Sequence, residues 1–445
     1  MCVLANCAAR ACPLNRGQMG ALGARNMRSP LMQSNGTDFQ MGRTEFIALI
    51  AMMFATIAFS TDAMLPALPQ IAADLAPATP ERVPLILTSF VFGLGLGTFF
   101  MGPLSDTFGR KNVVYAGVAL YILAAFVAWA SQTLEVMLAA RVVQGIGAAG
   151  PRVVSLAIIR DLFSGRQMAK IMSFVMMIFV IVPAFAPALG AVIVSFTNWR
   201  GIFAAFVVFA VILMMWLWAR LPETLLKPDR RPLRLPLLWR ALKEVFSNPM
   251  VCLSIMVQTL AMAILFATLM LVQPIYDQVY DRAASFPFWF GVVAIVSGTS
   301  SLLNALLVVR YGMQRLVTIT LAAQIILSGI MLGFGLGDLP EPFGFYFFVV
   351  WQACLFFQAG LVMGNLNALA MEPMGHIAGM AASVIGAVST VLAAVIASPI
   401  GLLFNGTIMP LIASVVVLAA VGFCLMLVLG RVVRHQDAAT SAPAP

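Results

Sequence analysis

One carboxylate stands inside the first apolar run of the sequence. Asp62 is the only acid between Glu45 and Asp74, in the segment Ser60-Thr61-Asp62-Ala63-Met64-Leu65-Pro66-Ala67-Leu68-Pro69. A charge within a membrane span costs about 2.5 to 3.5 kcal/mol on insertion scales, so such residues mark function. A carboxylate there can take up and release a proton; the alternative is a helix-end residue at the outer water interface. A second polar set lies in the fourth apolar run, where Arg141-Val142-Val143-Gln144-Gly145-Ile146-Gly147-Ala148-Ala149-Gly150-Pro151-Arg152 carries two cations and an amide. Arg141 and Gln144 share a helix face, and Arg152, about three turns on, returns to nearly the same one. The intervening glycines thin the helix so that a neighbour packs close. The first span rises from residue 45 and the fourth descends from residue 134. That puts Asp62 about 26 Å above the inner boundary and Arg141 about 10 Å below the outer one. In a core of about 30 Å both fall in the outer half, where Arg141 is placed to face Asp62 and keep it ionised. The alternative for either arginine is a structural side chain whose head snorkels.

Two further patterns carry backbone chemistry. Gly102-Pro103-Leu104-Ser105-Asp106-Thr107-Phe108-Gly109-Arg110-Lys111 reads as a tight turn in which Asp106 meets a neighbouring helix end while Arg110 and Lys111 face the inner leaflet. In the fifth run, Pro183 and Pro187 stand four apart with Gly190 three further on. Each proline deletes an intrahelical hydrogen bond, giving a kink or hinge that neighbouring helices must support.

The elements that hold these residues are membrane spans. Of 445 residues 62% are hydrophobic and only 10% charged, against about a quarter charged in an average soluble domain. Apolar runs lie at about 45–66, 83–103, 112–131, 134–159, 168–195 and 199–219, then at about 250–272, 286–309, 314–334, 342–370, 377–404 and 407–430. Each is near the 20 residues a helix needs to cross hydrocarbon. The chain is therefore expected to be an all-α integral membrane protein of twelve transmembrane helices. Its expected organisation is a disordered cytoplasmic tail at 1–44, a six-helix bundle at 45–219, a basic linker at 220–249, a second bundle at 250–430 and a tail at 431–445. Met27 and Met41 are alternative starts.

The formal charge of +9 would raise nucleic acid in a soluble protein. Here Arg110, Lys111, Arg160, Arg166, Lys170, seven linker cations, Arg310 and Arg315 all fall in alternate loops. The intervening loops hold Arg82, Arg200 and Arg282 beside seven acids, Asp338 and Glu341 among them. That bias expects both termini in the cytoplasm and no nucleic-acid partner. The six cysteines have no zinc spacing, and no metal or cofactor is expected. P-loop, H-E-x-x-H and G-x-S-x-G patterns are missing, which disfavours a membrane-embedded enzyme or sensor. In the second half the polar span residues are Gln258, Gln324, Gln352, Gln358, Asn365 and Asn367, expected mainly in helix packing. With 28 Met and 32 Phe, the cavity reads as soft and tolerant of shape.

The segment Gly102–Lys111 resembles the loop 2–3 signature of the major facilitator superfamily, and the resemblance extends from about 45 to 430. It implies two six-helix bundles rocking about a central site, with Gly102, Asp106, Gly109, Arg110 and Lys111 latching the halves on the cytoplasmic side. The segments around Asp62, Arg141 to Leu162 and Pro183 are similar to the bicyclomycin/chloramphenicol-resistance branch of the drug/proton antiporters, in which a Gly/Pro-rich fifth span marks exporters. This chain carries Leu156 where many members have a basic residue before the alanine that is Ala157 here, with Arg152 one turn earlier. The resemblance implies a monomeric multidrug exporter of the bacterial inner membrane. Asp62, Arg141, Gln144 and Arg152 would serve proton coupling and the substrate cavity, and Pro183, Pro187 and Gly190 the hinge. A proton-coupled carrier of a defined metabolite (nucleoside, amino acid or organic anion) is the alternative.

Overall fold

Apolar runs in hydrocarbon must satisfy their backbone groups internally, which leaves helices as the solution for a chain of this pattern. The computed structural model describes residues 33–34, 37–38, 41–230, 232, 235–333 and 343–441. Arg231, Arg234, Asp338, Glu341 and most of the tail read at 1–44 lie outside the described residues. Contacts divide the chain into two units. In the first, Met1–Gln40, β1 (Gln33–Ser34) pairs antiparallel with β2 (Thr37–Asp38).

The second unit, Met41–Pro445, is helical. Its first half holds α1 (Arg43–Asp62), α2 (Leu68–Leu75), α3 (Leu85–Phe108), α4 (Arg110–Trp129), α5 (Leu134–Leu162), α6 (Gly165–Phe196) and α7 (Trp199–Arg220). After α8 (Leu235–Ser247) come α9 (Pro249–Pro274), α10 (Phe286–Gly298), α11 (Ser300–Tyr311), α12 (Met313–Gly333), α13 (Phe343–Met371), α14 (Ala378–Leu402) and α15 (Met409–Ser441). Among the described residues, ten stretches are long and apolar enough to cross a membrane; one of them, Phe343–Leu402, contains both α13 and α14, and α6 adds a 32-residue helix. Six spans thus precede α8 and six follow it. Large apolar side chains such as Val309, 87% exposed, cover the outside, a surface that suits lipid.

Capping side chains start several spans. Thr133 accepts from the Val136 N–H before α5, Asn198 from Arg200 before α7, and Asn248 from Met250 and Val251 before α9. The halves meet along two seams, α3 against α14 and α6 against α10, the first tied by a 3.1 Å hydrogen bond from Ser398 to Thr88.

The structure departs from the sequence reading in four places. The first span is broken after Asp62, since Pro66 and Pro69 start a short 3-10 turn and then α2. The eighth span is split at Thr299 into α10 and α11. The linker is not merely a charged run, because it contains α8. The tail placed at 431 begins inside α15, which continues to Ser441.

Candidate functional site

Asp62 is the last residue of α1 and is 5% exposed. Its carboxylate accepts a 3.1 Å hydrogen bond from the hydroxyl of Thr61. No ion pair joins it to Arg141 among the described residues, and the arginine's donors are engaged elsewhere. Arg141, fully buried on α5, donates to the Ser60 carbonyl at 2.8 Å, to Gln144 Oε1 at 2.7 Å and to the Ile86 carbonyl at 3.4 Å. Its guanidinium lies 4.4 Å from the centroid of the Phe90 ring. Gln144 therefore shares the face of Arg141 as the spacing requires, while the expected Asp62–Arg141 pairing is replaced by a contact two residues earlier.

The reason lies in the break of α1. Carbonyls in the last turn of a helix have no intrahelical donor, and cations favour that end of the helix dipole. Ser60 belongs to that last turn, so Arg141 caps it. The Ser60 hydroxyl in turn bonds Tyr121 of α4 at 2.5 Å. One buried cluster thus ties α1, α3, α4 and α5 together just before Asp62. The sequence pattern pairs the arginine with Gln144 but does not show its other two acceptors, which are main-chain oxygens.

The glycines of the fourth span act as their spacing implies. A β-carbon on Gly145 would fall 2.0 Å from the Phe90 carbonyl oxygen, so α3 and α5 approach at backbone contact. Arg152 is half-buried, and no hydrogen bond or ion pair of its guanidinium is found among the described residues. The Ser155 hydroxyl donates to its main-chain carbonyl. Beside Asp62, Gly190 of α6 packs so closely on Ala63 that a β-carbon would come within 2.1 Å of its carbonyl oxygen. Pro183 and Pro187 lie within α6, which stays helical through both. Without an N–H on Pro187, the Pro183 carbonyl loses its usual donor.

The loop 2–3 segment differs from the turn expected of it. Residues 102–108 complete α3, α4 begins at Arg110, and Gly109 alone separates them, with φ +96°, a backbone state that side chains disfavour. Arg110 does not face the leaflet either. It is 8% exposed and paired with Asp106 at 2.5 Å and Asp161 at 2.9 Å, and it also donates to Ser105 Oγ. Glu223, beyond α7, accepts from the backbone N–H groups of Arg110 at 2.9 Å and Lys111 at 3.1 Å, capping α4. Thr224 bonds Asp161, and Lys111 Nζ reaches the Trp218 carbonyl. These ionic partners belong to the first half and the start of the linker. On the second-half side, Ser383 Oγ of α14 lies 3.1 Å from where a β-carbon on Gly102 would be.

In the second half, Gln324 bonds Ser328, Gln352 accepts from Tyr276, and Asn365 donates to Asn304. These contacts agree with packing roles. The split at Thr299 was not visible as a break in apolar character, although the run Ser297-Gly298-Thr299-Ser300-Ser301 marks it.

Residues 48–398 match the sequence profile described as Major Facilitator Superfamily. The chain belongs to that superfamily. It is a multi-pass membrane transporter and not an enzyme. A protein named bicyclomycin resistance protein homolog from Haemophilus influenzae is 31% identical over 372 residues, covering 82% of this chain and 91% of its own. A multidrug resistance protein MdtL from Shewanella sp. is 28% identical, covering 86% and 95%. Among solved structures, a D-xylose-proton symporter aligns with TM-score 0.69 at 14% identity, over 87% of this chain and 97% of its own. The human organic anion transporter MFSD10 aligns with TM-score 0.60 at 14% identity, over 88% and 100%. At such identities these two structures speak for the fold alone.

Proposed function

We propose that the protein is a secondary active multidrug efflux transporter, exporting amphipathic, drug-like compounds in exchange for protons by alternating access. The observation that carries this reading is Asp62, a buried carboxylate at the broken end of α1 with a hydroxyl as its hydrogen-bond partner. An acid in that position changes the charge of the site when it gains or loses a proton, and it sits where α1 is fastened to the proline-bearing α6. The names of the Haemophilus and Shewanella relatives support the drug-like substrate class. The distribution of Lys and Arg supports an inner-membrane orientation with both termini in the cytoplasm. The chain contains both halves of the fold, and a monomer is the working unit.

The experiment is export from a drug-efflux-deficient bacterial host and proton-gradient-driven uptake into everted vesicles, for wild type and Asp62→Asn. The variant should keep substrate binding and lose proton-driven transport. Wild-type pumping by Asp62→Asn would sink the proton role. Arg152 favours a second reading, transport of an organic anion, because its guanidinium is held in a span without a partner among the described residues. In that case Arg152→Gln loses carboxylate substrates and keeps neutral ones.

A further inference from the structure

The linker helix α8 has three distinct sides. Ala241 and Val245 are buried, and Val245 packs with Val251 and Ile255 of α9, Ala370 of α13 and Val384 of α14. Glu244 is bonded to His376, in the short 3-10 segment between α13 and α14. At 100° per residue Trp239 and Phe246 fall together on the flank away from Glu244, two turns apart. They are 68% and 47% exposed. Arg240 and Lys243, both exposed, form the ridge beside them.

The position of this helix is constrained. α8 ends at Ser247, Asn248 caps the next helix, and the membrane span α9 begins at Pro249. Cys252 Sγ of α9 reaches back to the Phe246 carbonyl at 3.2 Å, which keeps the turn short. A helix joined to a span by one residue lies at the surface of the bilayer. With its rotation fixed by the Val245 contacts and the Glu244–His376 bond, its aromatic flank and cationic ridge have no covering element among those packed against it.

We propose that α8 is a binding surface for anionic phospholipid. Trp239 and Phe246 seat at the level of the acyl–headgroup boundary, and Arg240 and Lys243 hold the phosphate groups. The charge supports this occupant over a second protein copy, since an aromatic flank bordered by two cations is the pattern of interfacial helices on acidic membranes. The proposal rests on the chain being a membrane protein and not on proton exchange.

The test uses the full-length protein in vesicles of phosphatidylcholine mixed with phosphatidylglycerol, with brominated acyl chains on one lipid or the other. The contribution of Trp239 is the difference in emission between wild type and Trp239→Phe. That difference should be quenched, and on the order of tenfold more effectively per lipid by brominated phosphatidylglycerol, the enrichment two cations bring at a surface. Arg240→Gln combined with Lys243→Gln should make the two lipids equivalent, with an unchanged melting temperature in detergent showing that the fold is kept. A Trp239 contribution that neither brominated lipid quenches overturns the proposal, since the flank then faces water or protein. Equal quenching by both lipids in the wild type also overturns it.

Discussion

Gly190 and Ala63 are in backbone contact: a β-carbon on the glycine would sit 2.1 Å from the alanine carbonyl oxygen. This contact joins the proline-bearing α6 to α1 at the residue after Asp62. A change in the course of α6 at Gly190 would therefore press on the main chain next to the acid. The sequence pattern placed Gly190 in a hinge, and the structure adds what the glycine touches.

Gly190→Ala should therefore force α1 and α6 apart, at a cost of about 1 to 3 kcal/mol for overpacking a close contact. Transport should fall and the melting temperature in detergent should drop. Gly364 in α13 has no neighbour within 4 Å of its β-carbon position and serves as control, since Gly364→Ala should leave both unchanged or raise stability slightly. Equal behaviour of the two variants would show that the contact does not matter.

The two acids paired with Arg110 should differ in weight. Asp161 is 22% exposed in its side chain and accepts from both Arg110 and Thr224, whereas Asp106 is 47% exposed. Asp161→Asn should lower stability by about 1.5 to 3 kcal/mol, as for a partly buried bond to a charged group, and Asp106→Asn by under about 1 kcal/mol. Thermal melts of the two variants in one detergent check this, and the reverse order would show that exposure does not govern the cluster.

Glu223 holds the start of α4. Glu223→Ala leaves the Arg110 and Lys111 N–H groups without their acceptor, at a cost of about 0.5 to 2 kcal/mol. Glu223→Gln keeps an acceptor but loses the charge that favours a helix N-terminus, so its loss should be intermediate. If turnover follows the same order, the cap contributes to conformational exchange; full turnover in Glu223→Ala would separate the cap from transport.

How much of this was legible depended on the range of the interaction. The spans were legible because a run of apolar residues states its own length. Gln144 beside Arg141 follows from helical spacing alone. Asp106, four residues before Arg110, is within reach of local spacing, but Asp161 and Glu223 were not legible, since they lie 51 and 113 residues away and reach it only after the first half has folded. The Ser60 carbonyl that takes the place of Asp62 opposite Arg141 has no side-chain signal at all. α8 was hidden by composition, because its cations made residues 220–249 read as a charged run. Its buried positions Ala241 and Val245, four apart, carried the helical period.

Arg141 separates a structural role from substrate binding. Its guanidinium reaches oxygens on α1, α3 and α5 and lies over the Phe90 ring, a geometry that needs a planar fork. Arg141→Lys keeps the charge but cannot reach all three acceptors, and each buried acceptor left unpaired costs about 1 to 3 kcal/mol. The variant should melt earlier and lose transport of every substrate, neutral or anionic, including downhill exchange without a proton gradient. A pin between helices has that signature, because it acts before any substrate is bound. Were Arg141 instead a ligand for a substrate carboxylate, Arg141→Lys would retain neutral substrates and its melting temperature and weaken anions alone. Measuring a neutral and an anionic compound side by side distinguishes the two roles.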